Sequence, residues 1–163
     1  VLLIGVANAS AVLIGKKLGE NDLETAKDWG QKFVKLAFTT GIIVGILLII
    51  LAPLISESFT EFSDFVKYNI KWNLRISGLF AAFKFVNAVH IVCTLRSGSD
   101  TEYAMLAEGV SLWFVGVPIA FGLALFTNFT LPQIFILVNI EELVKFYLVH
   151  RRFKSGKWLN NLT

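Results

Sequence analysis

From Phe33 to Ile55 the chain is apolar, and after Lys35 no charged side chain interrupts it before Pro53 marks its end. A run of about 20 such residues is what an α-helix needs to cross the hydrocarbon core of a bilayer, where every backbone polar group must be paired within the segment. The run has companions from about Asn69 to Leu95, from about Ala104 to Phe126 and from Leu131 to about Val149. A soluble domain would have to bury all four at once, and the segments between them carry too little polar surface for that. With 55% hydrophobic and 17% charged residues and a mean hydropathy of +0.67, the sequence reads as a membrane protein. The expected fold class is an all-α integral membrane protein, a polytopic helical bundle of about four complete transmembrane helices plus a truncated one. Val1 to Ile14 supplies the last of these: it is too short to span alone, so it is expected to be the second half of a helix.

Function is carried by what interrupts the apolar runs. Lys84, Asn87 and His90 lie well inside the second run. An ionisable group in hydrocarbon costs about 2.5 to 3.5 kcal/mol on insertion scales, so such residues face a bundle interior or a water-filled path. They are therefore candidates for a substrate cavity, together with Phe80 and Phe83, and the alternative is an internal hydrogen-bond network. Glu141, Glu142 and Lys145 fall in the last run. Glu141 and Lys145 stand at i,i+4 in the favourable order and are expected to pair; alternatively, Glu141 or Glu142 serves as an ion or proton site.

Smaller signals place the connections. Asn21 or Asp22 is an expected helix cap, as is Thr130 with Pro132 just behind it. Gly41 and Gly45 form a GxxxG face for close helix packing. Pro118 should kink the third run. Phe59, Phe62 and Phe65 recur at a spacing of three, as in a turn at the membrane interface, and Trp158 is expected at that interface in the tail.

The same residues exclude several classes. Cys93 is the only cysteine, so no intrachain disulfide or thiolate cluster can form. The two histidines, His90 and His150, are expected to be too few and too separated for a metal site. Basic residues do not form the stripe with interleaved aromatics that nucleic-acid binding requires. No nucleophilic triad or metal constellation points to an enzyme, and no cofactor is implied.

Lysine and arginine counts set an orientation. The segment from Lys16 to Lys35, the turn at Arg96 and the tail from Arg151 to Lys157 hold ten between them, whereas the connections on the other side hold Lys67 and Lys71. Positive residues accumulate on the cytoplasmic side, so the first loop, the Arg96 turn and the C-terminus are expected there.

Four motifs in order resemble one family. Ala9-Ser-Ala-Val-Leu-Ile-Gly-Lys-Lys-Leu-Gly-Glu-Asn-Asp is similar to the helix end and loop of multidrug and toxic compound extrusion (MATE) transporters. Leu95-Arg-Ser-Gly-Ser-Asp-Thr resembles that family's Leu-Arg-Gly-x-Gly-Asp-Thr turn, Trp113 with Val117-Pro-Ile-Ala its next helix, and Glu141-Glu-Leu-Val-Lys with Arg152-Phe-Lys-Ser-Gly-Lys-Trp its last helix and tail. The resemblance implies that residues 1–163 run from the end of the eighth helix through the twelfth, as part of a C-terminal lobe whose N-terminal lobe belongs to the same longer chain. It implies exchange of cationic or amphipathic drugs for Na+ or H+ by alternating access, with membrane lipid and a small-molecule drug or toxin as partners and no nucleic acid. Arg96, Gly98 and Asp100 would shape a cytoplasmic hinge turn, or a simple capped turn in which Asp100 caps the next helix. Some members carry an acidic residue in the helix equivalent to Asn69–Leu95; here no Asp or Glu stands between Phe65 and Ser99. A lipid-linked oligosaccharide flippase of the same superfamily, with Lys84 and Arg75 in a basic groove, and a non-transporting structural subunit are the rival expectations.

Overall fold

A computed structural model describes residues 2–159; Val1 and the last four residues of the tail considered above lie outside the described residues. Helix α1 spans Leu2–Gly19, α2 Leu23–Glu57 and α3 Asp64–Ala88, the last continuing through a π-helical stretch Val89–Leu95. After the 96–100 turn, α4 spans Thr101–Ser111, a second π-helical stretch Leu112–Gly116 follows, and α5 covers Val117–Phe126. Then come α6, Leu131–Val138, and α7, Ile140–Lys154.

Three of the four expected spans are helices long and apolar enough to cross a membrane: Leu23–Glu57, Asp64–Leu95 and Thr101–Phe126. The fourth run is divided at Asn139, whose ψ of −7° tightens the turn while its side-chain amide donates to the Phe135 carbonyl at 2.7 Å. The side chain competes with the backbone for that acceptor, which is how asparagine interrupts helices. Beyond it, α7 carries the two glutamates, a lysine and a basic end, so this half is the polar one.

The caps follow the local sequence. Asp22 caps α2, accepting from the Thr25 amide at 3.2 Å. Thr130 opens α6 in a capping box with Gln133, whose side chain accepts from the Thr130 amide at 2.8 Å. Helix α3 begins at Asp64, earlier than the apolar pattern shows, and Phe59 and Phe62 stack at 5.3 Å in the turn before it.

Helices α2 and α3 form the closest pair. A side chain at Gly41 would meet the Ala81 and Ala82 backbone, and one at Gly45 would strike the Gly78 carbonyl, so the GxxxG face meets a third glycine across the crossing. The kink expected of Pro118 is absorbed by the π-helical stretch just before it, a wide turn of the kind that accommodates a break in the hydrogen-bond ladder.

At one end of the bundle the loop after α1, the 96–100 turn and the tail converge. Gly156, with φ +69°, reverses the chain beyond α7 so that Trp158 stacks on Phe153 at 5.5 Å and donates to its carbonyl at 3.1 Å. Trp158 is wholly buried against Gly30 and beside Gly98. The expected interfacial tryptophan is thus a core residue, because Gly30 leaves room for the indole, Gly98 lets the Trp158 carbonyl approach, and Phe153 supplies the indole's acceptor.

Candidate functional site: a polar cluster within the bundle

Where α3 and α7 pack, apolar surface gives way to a connected set of polar side chains. Asn87, 2% exposed, donates through Nδ2 to the Glu142 carbonyl at 2.9 Å and to Glu142 Oε2 at 2.8 Å. Lys145 Nζ lies 3.5 Å from Glu141 Oε1 and 3.5 Å from Glu142 Oε1, so one ammonium bridges two carboxylates. The expected Glu141–Lys145 pair is present and Glu142 shares it. All three side chains are largely sequestered, and a charge so placed is tolerable only when paired.

Two polar atoms of this set, Asn87 Oδ1 and Glu141 Oε2, have no hydrogen-bond partner among the described residues. Glu141 Oε2 reaches the π-helical stretch of the neighbouring span, where a side chain at Gly116 would come within 2.7 Å of it. A buried carboxylate oxygen without a donor is an acceptor for a proton or a cation.

Lys84 stands one turn before Asn87, with Nζ 5.8 Å from the centre of the Phe135 ring. It lines a cleft of about 320 Å³ together with Ala88, Ile91, Val92, Glu108, Glu142 and Lys145. The four charged groups are two lysines and two glutamates, so the cleft presents both signs over an apolar wall. Glu108 also pairs with Arg96 at 3.0 Å across the connecting turn.

The remaining cavity candidates, Phe80, Phe83 and His90, do not line this cleft. Phe83 meets Phe146 edge to face at 5.5 Å, and Phe80 is buried. His90 is fully buried in the first π-helical stretch, with Nε2 3.2 Å from His150 Nδ1 and its ring 4.8 Å from Phe153. The two histidines, distant in sequence, therefore meet. The reason is geometric: α3 and α7 cross where each presents its histidine, and Phe146, stacked on His150 at 5.1 Å, fixes the ring. Among the described residues no group of three or more His, Cys, Asp and Glu side chains is placed to hold a metal.

The 96–100 turn corrects one expectation. Asp100 occupies the N-cap position of α4 without making a side-chain cap. Its two oxygens instead accept from Arg152 Nε at 2.6 Å and Arg152 Nη2 at 3.0 Å, because the fork of a guanidinium matches a carboxylate better than one backbone amide does. That contact holds the Arg152 guanidinium above its ordinary range, and the same side chain lies 4.7 Å over the Tyr103 ring. Tyr103 donates to the Leu148 carbonyl at 3.1 Å, and Gly98 packs against the Trp158 carbonyl, so turn and tail are one unit.

Lys84, Asn87 and His90 stand out in the sequence as polar residues inside an apolar run, and the Glu141–Lys145 pair by its i,i+4 spacing. The Asn87–Glu142, His90–His150 and Asp100–Arg152 contacts carry no local signal, since each joins residues more than fifty positions apart.

Long apolar helices crossed by small residues, with a sequestered set of paired charges between them, define an all-α polytopic membrane protein. The MatE family model matches residues 1–122, and the chain belongs to that family. It is similar to an uncharacterized transporter, YisQ, of Bacillus subtilis strain 168, with 23% identity over 98% of this chain and 35% of the relative. It is also similar to probable multidrug resistance proteins NorM of Listeria innocua, 26% identical over 77% of this chain and 27% of the relative, and of Halalkalibacterium halodurans, 21% identical over 76% and 27%. The chain thus spans about a third or less of the length of these relatives. No solved structure matches it.

Proposed function

We propose that the chain is the greater part of the C-terminal lobe, from the end of the eighth helix through the twelfth, of a secondary active multidrug efflux transporter in the plasma membrane. The full protein exchanges cationic or amphipathic organic compounds for Na+ or H+ by alternating access, with its C-terminus in the cytoplasm; it is a transporter and no enzyme. One observation carries this reading: the cleft lined by Lys84, Glu142 and Lys145 lies between membrane helices, and Glu141, beside it, keeps a buried carboxylate oxygen without a donor. A structural subunit would close such a space by pairing Lys84, Asn87 and Glu142 with one another. Asn87 and Glu142 do pair, but Lys84 makes no ion pair among the described residues and the cleft stays open.

Within the cleft the roles divide by chemistry. The apolar wall of Ala88, Ile91 and Val92 suits the hydrophobic body of an amphipathic substrate, and Glu142 or Glu108 its cationic group. Phe83, on Phe146, and His90, on His150, tie α3 and its π-helical continuation to α7, and Phe80 is buried. Glu141 is the candidate ion or proton site, and Lys145 keeps its charge balanced while the ion is absent. Arg96, Gly98 and Asp100 form the cytoplasmic turn on which the lobe pivots.

The test is efflux of a fluorescent cationic dye from vesicles containing the full-length protein, with a sodium or a proton gradient imposed in turn. Dye efflux driven by one gradient and reduced in Lys84→Ala and Asn87→Ala supports the cavity and names the ion. Efflux unchanged in both variants confines those residues to packing. No efflux under either gradient moves the reading to a flippase for lipid-linked oligosaccharides.

A further inference from the structure

A second cleft, of about 540 Å³, opens between the start of α2 and the end of α7, outside the polar cluster. One wall comes from α2, where Lys27, Gln31, Val34 and Lys35 follow one helical face; the other comes from α7, where His150, Phe153 and Lys154 do the same. Phe153 reaches Gly30 at its base.

The charge of this cleft is of one sign. Lys27, Lys35 and Lys154 line it, no carboxylate does, and none of the three makes an ion pair among the described residues. Four acids of this end are engaged elsewhere: Glu20 binds Lys17 at 2.7 Å, Asp28 binds Lys32 at 2.7 Å, Asp22 caps α2, and Asp100 holds Arg152. Glu24, one turn before Lys27, makes no ion pair among the described residues and does not line the cleft. Three lysines gathered from two helices, with the neighbouring lysines neutralised and these left unpaired, leave a positive potential that calls for an anion.

The position favours a lipid. Immediately beyond Lys35 the uncharged part of α2 begins, with Leu36 and Phe38 about half exposed. Basic pockets between membrane helices at the charged end take phosphate headgroups while the acyl chains lie along the apolar surface below. We propose that this cleft binds the phosphate headgroup of an anionic phospholipid, with Lys35 and Lys154 as its principal ligands and Val34 and Phe153 as the apolar floor. The site is independent of the transported compound.

The experiment uses the purified full-length protein in neutral detergent, titrated separately with a short-chain phosphatidylglycerol, the matching phosphatidylcholine and inorganic phosphate, and followed by thermal unfolding. Phosphatidylglycerol should raise the midpoint saturably, and the other two should not. The double variant Lys35→Gln, Lys154→Gln should weaken phosphatidylglycerol at least tenfold. The double variant Lys16→Gln, Lys32→Gln removes the same charge from outside the cleft and should bind as the parent does. Lys35→Arg with Lys154→Arg should retain binding, which separates lost charge from lost fold. Equal weakening in both glutamine doubles would reduce the effect to net charge and overturn the site. Inorganic phosphate stabilising as well as phosphatidylglycerol would overturn the lipid assignment.

Discussion

Asp100 and Arg152 meet through two hydrogen bonds of 2.6 and 3.0 Å, joining the turn between the second and third spans to the last turn of α7. The side chains are only 10% and 26% exposed, so this pair is shielded more than an ordinary surface salt bridge. Around it Arg152 covers Tyr103, and the Trp158 carbonyl lies against Gly98.

Breaking that pair should loosen turn and tail together. Asp100→Asn removes the charge but keeps one acceptor; Asp100→Ala leaves Arg152 partly buried and unpaired, at a cost of about 1.5–3 kcal/mol. The expected outcome is a lower thermal midpoint for the full-length protein in both, larger for alanine. Limited proteolysis should cleave near Arg96 and Arg151 faster than in the parent. Unchanged midpoints and cleavage would show that the pair is ornamental.

The crossing of α2 and α3 predicts a contrast between glycines. Gly45→Ala drives a methyl group into the Gly78 carbonyl and should cost about 1–3 kcal/mol, read as a lower thermal midpoint and a lower folded yield. Gly122→Ala meets nothing within 4 Å and should leave stability the same or raise it by up to about 1 kcal/mol. Equal effects at both positions would remove the close approach from the account of this pair.

What the sequence made legible follows from how far each signal reaches. Apolar runs, the Asp22 and Thr130 caps, the GxxxG face and the Glu141–Lys145 pair are local or periodic, and each corresponds to a feature of the fold. Trp158 was expected at the interface because a tryptophan in a basic tail normally sits there; its burial depends on Gly30 and Gly98, far away in the chain. Asp100 has the sequence of a cap and the geometry of an ion-pair partner, and only the position of α7 decides between them. The break at Asn139 had a signal, an asparagine inside an apolar run, but nothing local distinguishes an interrupting asparagine from one that faces a neighbour as Asn87 does.

The cap at Asp22 sets a pH dependence. Hydrogen bonds from Thr25, by hydroxyl and by amide, hold the Asp22 carboxyl below its ordinary value of 3.8. A lowered value means that the unfolded state takes up the proton first, so the cap contributes fully above about pH 4 and its contribution fades as pH falls through the folded value. Hydrogen exchange at the Thr25 amide should therefore be slow at neutral pH and lose protection only in acid. In Asp22→Ala that amide should exchange faster than in the parent at neutral pH, and the difference should close in acid. A parent amide that loses protection on raising the pH from 5 to 8, after correction for intrinsic exchange, would contradict the assignment.

The two glutamates of α7 should separate when each is made neutral. Glu142 is already engaged, accepting from Asn87 and sharing Lys145, and a glutamine there can still accept from Asn87. Glu142→Gln should therefore fold normally and lower gradient-driven dye efflux by only about threefold, through the lost cationic contact. Glu141 has one oxygen bound to Lys145 and one with no donor, held against Gly116. If that oxygen receives the coupling ion, Glu141→Gln removes the receptor while the fold persists, and efflux should fall at least tenfold and cease to respond to the gradient. Gly116→Ala pushes the same carboxylate aside without changing any charge and should reproduce much of the loss. Full gradient dependence in both Glu141→Gln and Gly116→Ala would place the coupling site elsewhere in the protein and leave the Glu141–Lys145 pair a purely structural one.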